Sequence, residues 1–272
     1  MIRRPVVAGT FYPGISETLK NQVLIFLHNA EVPDNYENAL GIISPHAGYV
    51  YSGQCAAYGF NALKKKEFDL AVIIAPCHRF GSFRYSVGKF KEYITPLGHI
   101  PVDMELVEEL LKRDDFDFHP GAHNSEHSLE VQLPFLQMIN PDAAILPILL
   151  GDQTSENSKI LAEVLTDMFK DKLDRTVFII SSDLSHYYDS EKALTMDTLL
   201  SENVEKKNIK KLEKNFKSRK VEACGFGGIL TLLHLAKKLG YDKTENLKYT
   251  HSGEISGDNS QVVGYLSSVI YK

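Results

Sequence analysis

The sequence predicts an α/β fold: a single domain over residues 1–272 with a mainly parallel central sheet flanked by helices. Two observations carry this. Four apolar runs, 40–44 (LGIIS), 70–75 (LAVIIA), 143–150 (AAILPILL) and 176–181 (TVFIIS), are nearly continuous rather than alternating. That is the pattern of strands covered on both faces, as in parallel sheets. Stretches of helical periodicity lie between and beside them, the alternation that builds parallel sheets from crossover units. No internal repeat, low-complexity tract or linker interrupts the chain.

The elements follow in order. After the first run and a short loop, QCAAYGFNALKKK reads as a helix. Residues 102–114 place apolar side chains at helical spacing, with Asp103 positioned to start the turn. Residues 128–139 are a second periodic stretch, with Pro134 as a kink or boundary. Residues 155–173 open on a capping-type Ser155 and are strongly periodic. Residues 189–204 and 222–240 complete the helical set. RYSVGKF (84–90) and QVVGYLSSVIY (261–271) are strand-like and would add antiparallel edges.

Composition narrows the function classes. A net charge of −5 gives no phosphate-binding or membrane-surface face, so neither nucleic acid nor membrane is expected as a partner. The Lys-rich stretch Lys206 to Lys220 is the exception, and its Leu, Ile and Phe spacing fits the solvated face of an amphipathic helix. No apolar run reaches the ~18 residues of a membrane span. The N-terminus has two arginines but no sustained apolar core, so no signal peptide is expected. The cysteines, Cys55, Cys77 and Cys224, are too few and too scattered for a disulfide framework, which points to a cytoplasmic protein with reduced thiols.

The chemistry gathers where the apolar runs end. LGIIS is followed by PHAG with His46, LAVIIA by PCHRF with Cys77 and His78, and TVFIIS by SDLSHYYD with Asp183 and His186. In a parallel sheet these ends share one rim, where ligands of open α/β sheets bind. Three imidazoles on one rim point to a shared site, and neutral imidazole is the commonest protein ligand for transition metals. An anionic ligand is still needed, and Asp183 or Cys224 would supply it. Cys224 stands near the start of a helical stretch, where the dipole favours a thiolate, and Gly225, Gly227 and Gly228 let backbone approach closely. The alternative is that Cys224 is a small buried hydrophobe at a tight helix entry. The loop HPGAHNSEHSLEVQLPF (119–135) carries His119, His123, Glu126 and His127. A capping box on Ser125 or Ser128 accounts for part of its polarity, and Glu126 and His127 are candidates for supporting or acid/base roles. No Walker A loop, GxSxG elbow or HExxH motif is present.

The segments RRPVVAGTFYP, SPHAGYVYSGQCAA, APCHR, EHSLEVQLPFL, SSDLSHY, ACGFGG and SGDNSQVVGYLS together resemble the Memo family, whose microbial members are called AmmeMemoRadiSam system protein B. The resemblance runs nearly end to end. It implies a fold similar to class III extradiol dioxygenases of the LigB type, which use non-haem Fe(II). It implies a metal site of two His and a Cys, carried here by His46, His78 and Cys224, with Fe expected before Cu or Zn. His186 matches the acid/base histidine of those dioxygenases, with Asp183 beside it. The Cys replaces a carboxylate, so ordinary ring cleavage is not implied. Animal members are associated with phosphotyrosine-peptide binding, and their aromatic pair corresponds to Phe11 and Tyr12; His123 is grouped with these ligand-contacting residues. The microbial name implies AMMECR-like and radical-SAM partner proteins. The expected function is metal-dependent redox or oxygen chemistry on an unknown small molecule. The alternative is a non-catalytic module that binds a peptide or partner protein in the same cleft, and a thiol hydrolase on Cys224 ranks third.

Overall fold

A computed structural model describes residues 1–272. The strands are β1 (Ile2–Arg3), β2 (Ala39–Ser44), β3 (Leu70–Pro76), β4 (Tyr85–Val87), β5 (Glu92–Thr95), β6 (Gly98–Pro101), β7 (Phe116–Asp117), β8 (Ala144–Leu150), β9 (Thr176–Ser181), β10 (Asp183–Tyr188), β11 (Lys243–His251) and β12 (Val262–Tyr271). The helices are α1 (Ser16–Asn29), α2 (Tyr49–Leu63), α3 (Met104–Leu110), α4 (Pro120–Ser125), α5 (Leu133–Ile139), α6 (Ser155–Phe169), α7 (Ser190–Glu205), α8 (Ile209–Lys217), α9 (Phe226–Leu239) and α10 (Gly253–Ser256).

The four predicted runs become β2, β9, β3 and β8, adjacent and parallel in that order. Every residue of β2, β3 and β9 is buried, which is why their sequences do not alternate. Antiparallel strands complete a mixed nine-stranded sheet. β12 pairs with β2 on one side and β4 with β8 on the other, as the strand-like segments led one to expect. Neither is an edge: β10 and β11 both pair with β12, and β7 pairs with β4. A small second sheet joins β1, β5 and β6. α2 packs on β2 and β12, α9 packs on β9, β3 and β2, and α1 and α6 back them. One apolar core runs from Tyr12 to Ile270. No helix is long and apolar enough to cross a membrane.

The two ends of the parallel strands differ. At their starts, the buried Lys66 ammonium donates to the carbonyls of Ala39, Leu173 and Thr176, which uses all three of its hydrogens. The C-terminal ends of β2, β3 and β9 run directly into the segments that carry His46, His78 and Asp183.

Several local expectations need correction. The cap of α6 is Thr154, whose side chain accepts from the Asn157 amide, and Ser155 is already helical. Asp103 does cap α3, though that helix stops at Leu110. Neither Ser125 nor Ser128 caps a helix: Ser125 bonds back to the Gly121 carbonyl, and Ser128 donates to the Pro76 carbonyl. Of the two readings of Pro134, kink or boundary, the boundary holds: it lies in the first turn of α5, where a missing N–H costs nothing. Helix α9 begins at Phe226, and Cys224 therefore lies in the turn before it. SDLSHYYD, for which the sequence indicated no element, is largely strand β10, because it finds β12 as an antiparallel partner.

Candidate metal centre

His46, His78 and Cys224 each offer one ligand atom, and these atoms all lie within 4.8 Å of one another. His46 comes from the end of β2 and is buried. Its backbone N–H donates to Asp183 Oδ1 at 2.7 Å, and its Nδ1 lies 2.8 Å from Ser181 Oγ. Its Nε2 is 3.2 Å from Cys224 Sγ. The ring is held well below the ordinary 6.5, first by burial and then by the neighbouring rings of His78 and His127, so it is neutral at neutral pH.

Cys224 reaches the site because Gly225 follows it. A Cβ on Gly225 would lie 2.3 Å from the Ser181 carbonyl oxygen, so only glycine lets this turn touch the end of β9. The turn is pinned by the Gly225 amide on Ser182 Oγ and by Gln153, which accepts from Gly227 N–H and donates to the Cys224 carbonyl. The Asp183 amide points at Cys224 Sγ at 3.2 Å. Burial, and then the charge of Asp183, push the thiol above its ordinary value. The Asp183 carboxyl is itself raised by burial, against the pull of the His46 amide.

Glu126 organises the other side. Its carboxylate accepts from His78 Nδ1 at 2.8 Å and from the amides of His78, His127 and Ser128. Burial alone would raise this group, but the His78 hydrogen bond and charge outweigh it and hold it at about 2. An ionised carboxylate only accepts, so His78 carries a proton on Nδ1, and its neutral form presents Nε2 as a lone pair. Burial opposes charge on His78, yet the bond to Glu126 prevails and the ring is raised above 6.5. His127 Nδ1 sits 3.2 Å from the same carboxylate oxygen, and its ring stacks on His78 at 4.7 Å and 24°. The His46 ring meets both edge-on, at 5.3 Å from His78 and 5.5 Å from His127. Burial lowers His127 despite the pull of Glu126.

The segment 126–132 sews the strand ends together. Ser128 Oγ bonds the Pro76 carbonyl at the end of β3 and the Ser128 carbonyl accepts from Ser181 at the end of β9. Gln132 donates to the Pro45 carbonyl just past β2. On its other side the segment is held by Arg3, which donates to the carbonyls of His123 and Glu126 and pairs with Glu130.

The other expected residues take varied places. His186 is on β10, near enough to influence His46 and Asp183 electrostatically, and its Nδ1 donates to the Leu184 carbonyl at 2.7 Å. It is not one of the three clustered rings; His127 is. Phe11 packs on His127 at 4.8 Å. Tyr12 turns inward and donates to Glu130. His123 is buried with its nitrogens on Tyr93 and Ser86, and burial lowers it to about 3. Cys77 is half-buried against the core, outside the donor cluster, and burial raises its thiol. Ser181 and Gln132 escaped notice because a strand serine and a helical glutamine carry no signal by themselves.

A family model described as Memo-like protein matches residues 3–269. A MEMO1 family protein of Thermotoga neapolitana is 39% identical over 283 residues, covering 99% of this chain and 100% of that one. One from Methanobrevibacter smithii is 40% identical over 283 residues, covering 99% of each. One from Nitrosopumilus maritimus is 36% identical over 277 residues, covering 97% of this chain and 98% of that one. With this match from end to end, the chain belongs to the Memo family.

Proposed function

We propose that this chain carries out metal-dependent redox or oxygen chemistry on a small organic substrate, with His46, His78 and Cys224 holding a divalent ion, iron before copper or zinc. The observation behind this reading is the convergence of two imidazoles and a thiol, from three separate chain segments, within 4.8 Å. The donor set fits. Two ring nitrogens and a sulfur suit iron, copper or zinc and do not suit magnesium or calcium. A thiol raised by burial is protonated when alone, and a cation beside it would draw off that proton. When bound, the ion would supply Lewis-acid polarisation or electron exchange at its open positions.

The remaining residues serve protons and orientation. His186 has its Nδ1–H committed to the Leu184 carbonyl, which leaves Nε2 as a proton acceptor. His127, stacked on His78, offers a second imidazole kept neutral by burial. Glu126 orients His78 and stays ionised, so it acts as an anchor and not as a proton carrier. Phe11 shields one side of His127. Three free thiols fit a reducing compartment, and we place the protein in the cytoplasm.

The test is metal analysis of anaerobically purified wild type against His46→Ala, His78→Ala and Cys224→Ser. The wild type is expected to retain metal and each variant to lose it. Full retention in all three would overturn the reading.

One observation favours a second reading. Tyr51, Phe80 and Tyr187 are 43%, 45% and 70% exposed, on segments just past His46, His78 and His186. Such a rim suits a peptide or a partner protein, AMMECR-like and radical-SAM proteins included. On that reading metal-free wild type binds the partner and His46→Ala does not; equal affinity in both removes it.

A further inference from the structure

We propose that Ser181 and Gln132 are positioning residues that lock the His46 proton onto Nδ1, so that Nε2 faces Cys224 as a lone pair. The lock follows from hydrogen-bond accounting alone. Its consequence for metal affinity rests on the metal reading above.

Two carbonyls at this site have only one possible role. The Pro45 carbonyl can only accept, so the Gln132 atom 3.0 Å from it is the amide nitrogen, not the oxygen. That same nitrogen is 2.9 Å from Ser181 Oγ and donates its second hydrogen there. The Ser128 carbonyl, 2.7 Å from Ser181 Oγ, also can only accept, so it takes the single hydroxyl hydrogen. Ser181 now has one lone pair left and nothing to donate. His46 Nδ1 lies 2.8 Å away and must be the donor. Turning the hydroxyl toward Nδ1 instead would set two oxygens against each other at the Ser128 contact, in a site where Ser181, Ser128 and Gln132 are all buried. An unpaired buried carbonyl costs about 1–3 kcal/mol, which decides the orientation.

The result is a uniform arrangement. His46, His78 and His186 each give Nδ1–H to a fixed acceptor, namely Ser181, Glu126 and the Leu184 carbonyl. In the neutral form of each ring the lone pair is therefore on Nε2. With the proton on Nδ1, the 3.2 Å contact between Nε2 and Cys224 is one in which the thiol donates. The lock also ties this ring to the segment 126–132, which supplies Glu126 for His78.

Nitrogen-15 NMR of metal-free protein labelled at histidine tests this directly, with His46 assigned from the signal lost in His46→Gln. The wild type is expected to show His46 as the Nδ1–H tautomer. In Ser181→Ala the acceptor is gone and a substantial share of the proton moves to Nε2. Gln132→Leu lets the hydroxyl turn and gives a smaller shift in the same direction. A wild-type His46 protonated on Nε2 overturns the proposal without any variant having to fold, and so does a tautomer that Ser181→Ala leaves unchanged. Anaerobic Fe(II) competition titration is the second readout, with affinity in Ser181→Ala falling roughly 10–100-fold. A tautomer that shifts while iron affinity stays constant supports the lock and counts against the metal reading, so the two fail separately.

Discussion

Two buried polar clusters share the segment 126–132, and they are built to opposite ends. In the first, Glu130 accepts from Arg3, from Tyr12 Oη and from the amides of Val6 and Val7. Arg3 donates in addition to three backbone carbonyls. Its charges cancel and its polar atoms are paired, which is what a buried ion pair needs to be tolerated. In the second cluster, three imidazoles and a thiol crowd together, and Nε2 of His78 makes no hydrogen bond. Nothing in the fold requires four such groups in contact, and burying them costs free energy. A saturated cluster holds the chain together. On the proposed reading, the one with lone pairs to spare is arranged to bind.

The contrast can be broken from either side. The largest loss is expected in Glu130→Ala, which leaves the Arg3 guanidinium buried without its partner and should cost ~3–5 kcal/mol in denaturant unfolding. A loss under ~1 kcal/mol would mean that the first cluster is not structural.

Glu126→Gln comes next, because Glu126 serves both clusters through its carboxylate and its carbonyl. Its native value, about 2, is depressed below the ordinary 4.5. Its contribution, on the order of 3 kcal/mol, is therefore present above that ordinary value and lost as pH falls toward the native one. Unfolding curves followed between these limits should show a shallower acid limb in the variant than in wild type; parallel curves would contradict the assignment.

Tyr12→Phe removes one of several donors to Glu130 and should cost about 1 kcal/mol with metal binding intact. Cys224→Ser is the smallest change in stability, within about 1 kcal/mol, since it keeps the volume and a polar donor. Its metal affinity should nevertheless collapse.

Different parts of this division were legible in the sequence for different reasons. β2, β3, β8 and β9 could be read because burial on both faces leaves continuous Ile, Val and Leu runs. The convergence of strand ends on one rim followed from parallel topology, and that argument reached His46 and His78. Cys224 was one of two open choices for the anionic ligand until the resemblance singled it out. What stayed hidden depends on hydrogen bonds between residues far apart in the chain. Arg3 and Glu130 are 127 positions apart, and His46 and Ser181 are 135. No periodicity marks such pairs. The same blindness made Ser128 look like a helix cap, when its hydroxyl and carbonyl join two strand ends. It also placed His186 with the clustered rings and left His127 in a supporting part, because strand β10 was not anticipated.

The division of labour between the clusters is tested most directly by the metal-induced shift in melting temperature, measured anaerobically with Fe(II) on wild type, Tyr12→Phe and Cys224→Ser. A ligand that binds the native state raises its stability in proportion to the logarithm of its concentration over Kd. Wild type and Tyr12→Phe are expected to show the same upward shift from different starting points, and Cys224→Ser to show none. An undiminished shift in Cys224→Ser, or its loss in Tyr12→Phe, would contradict that division.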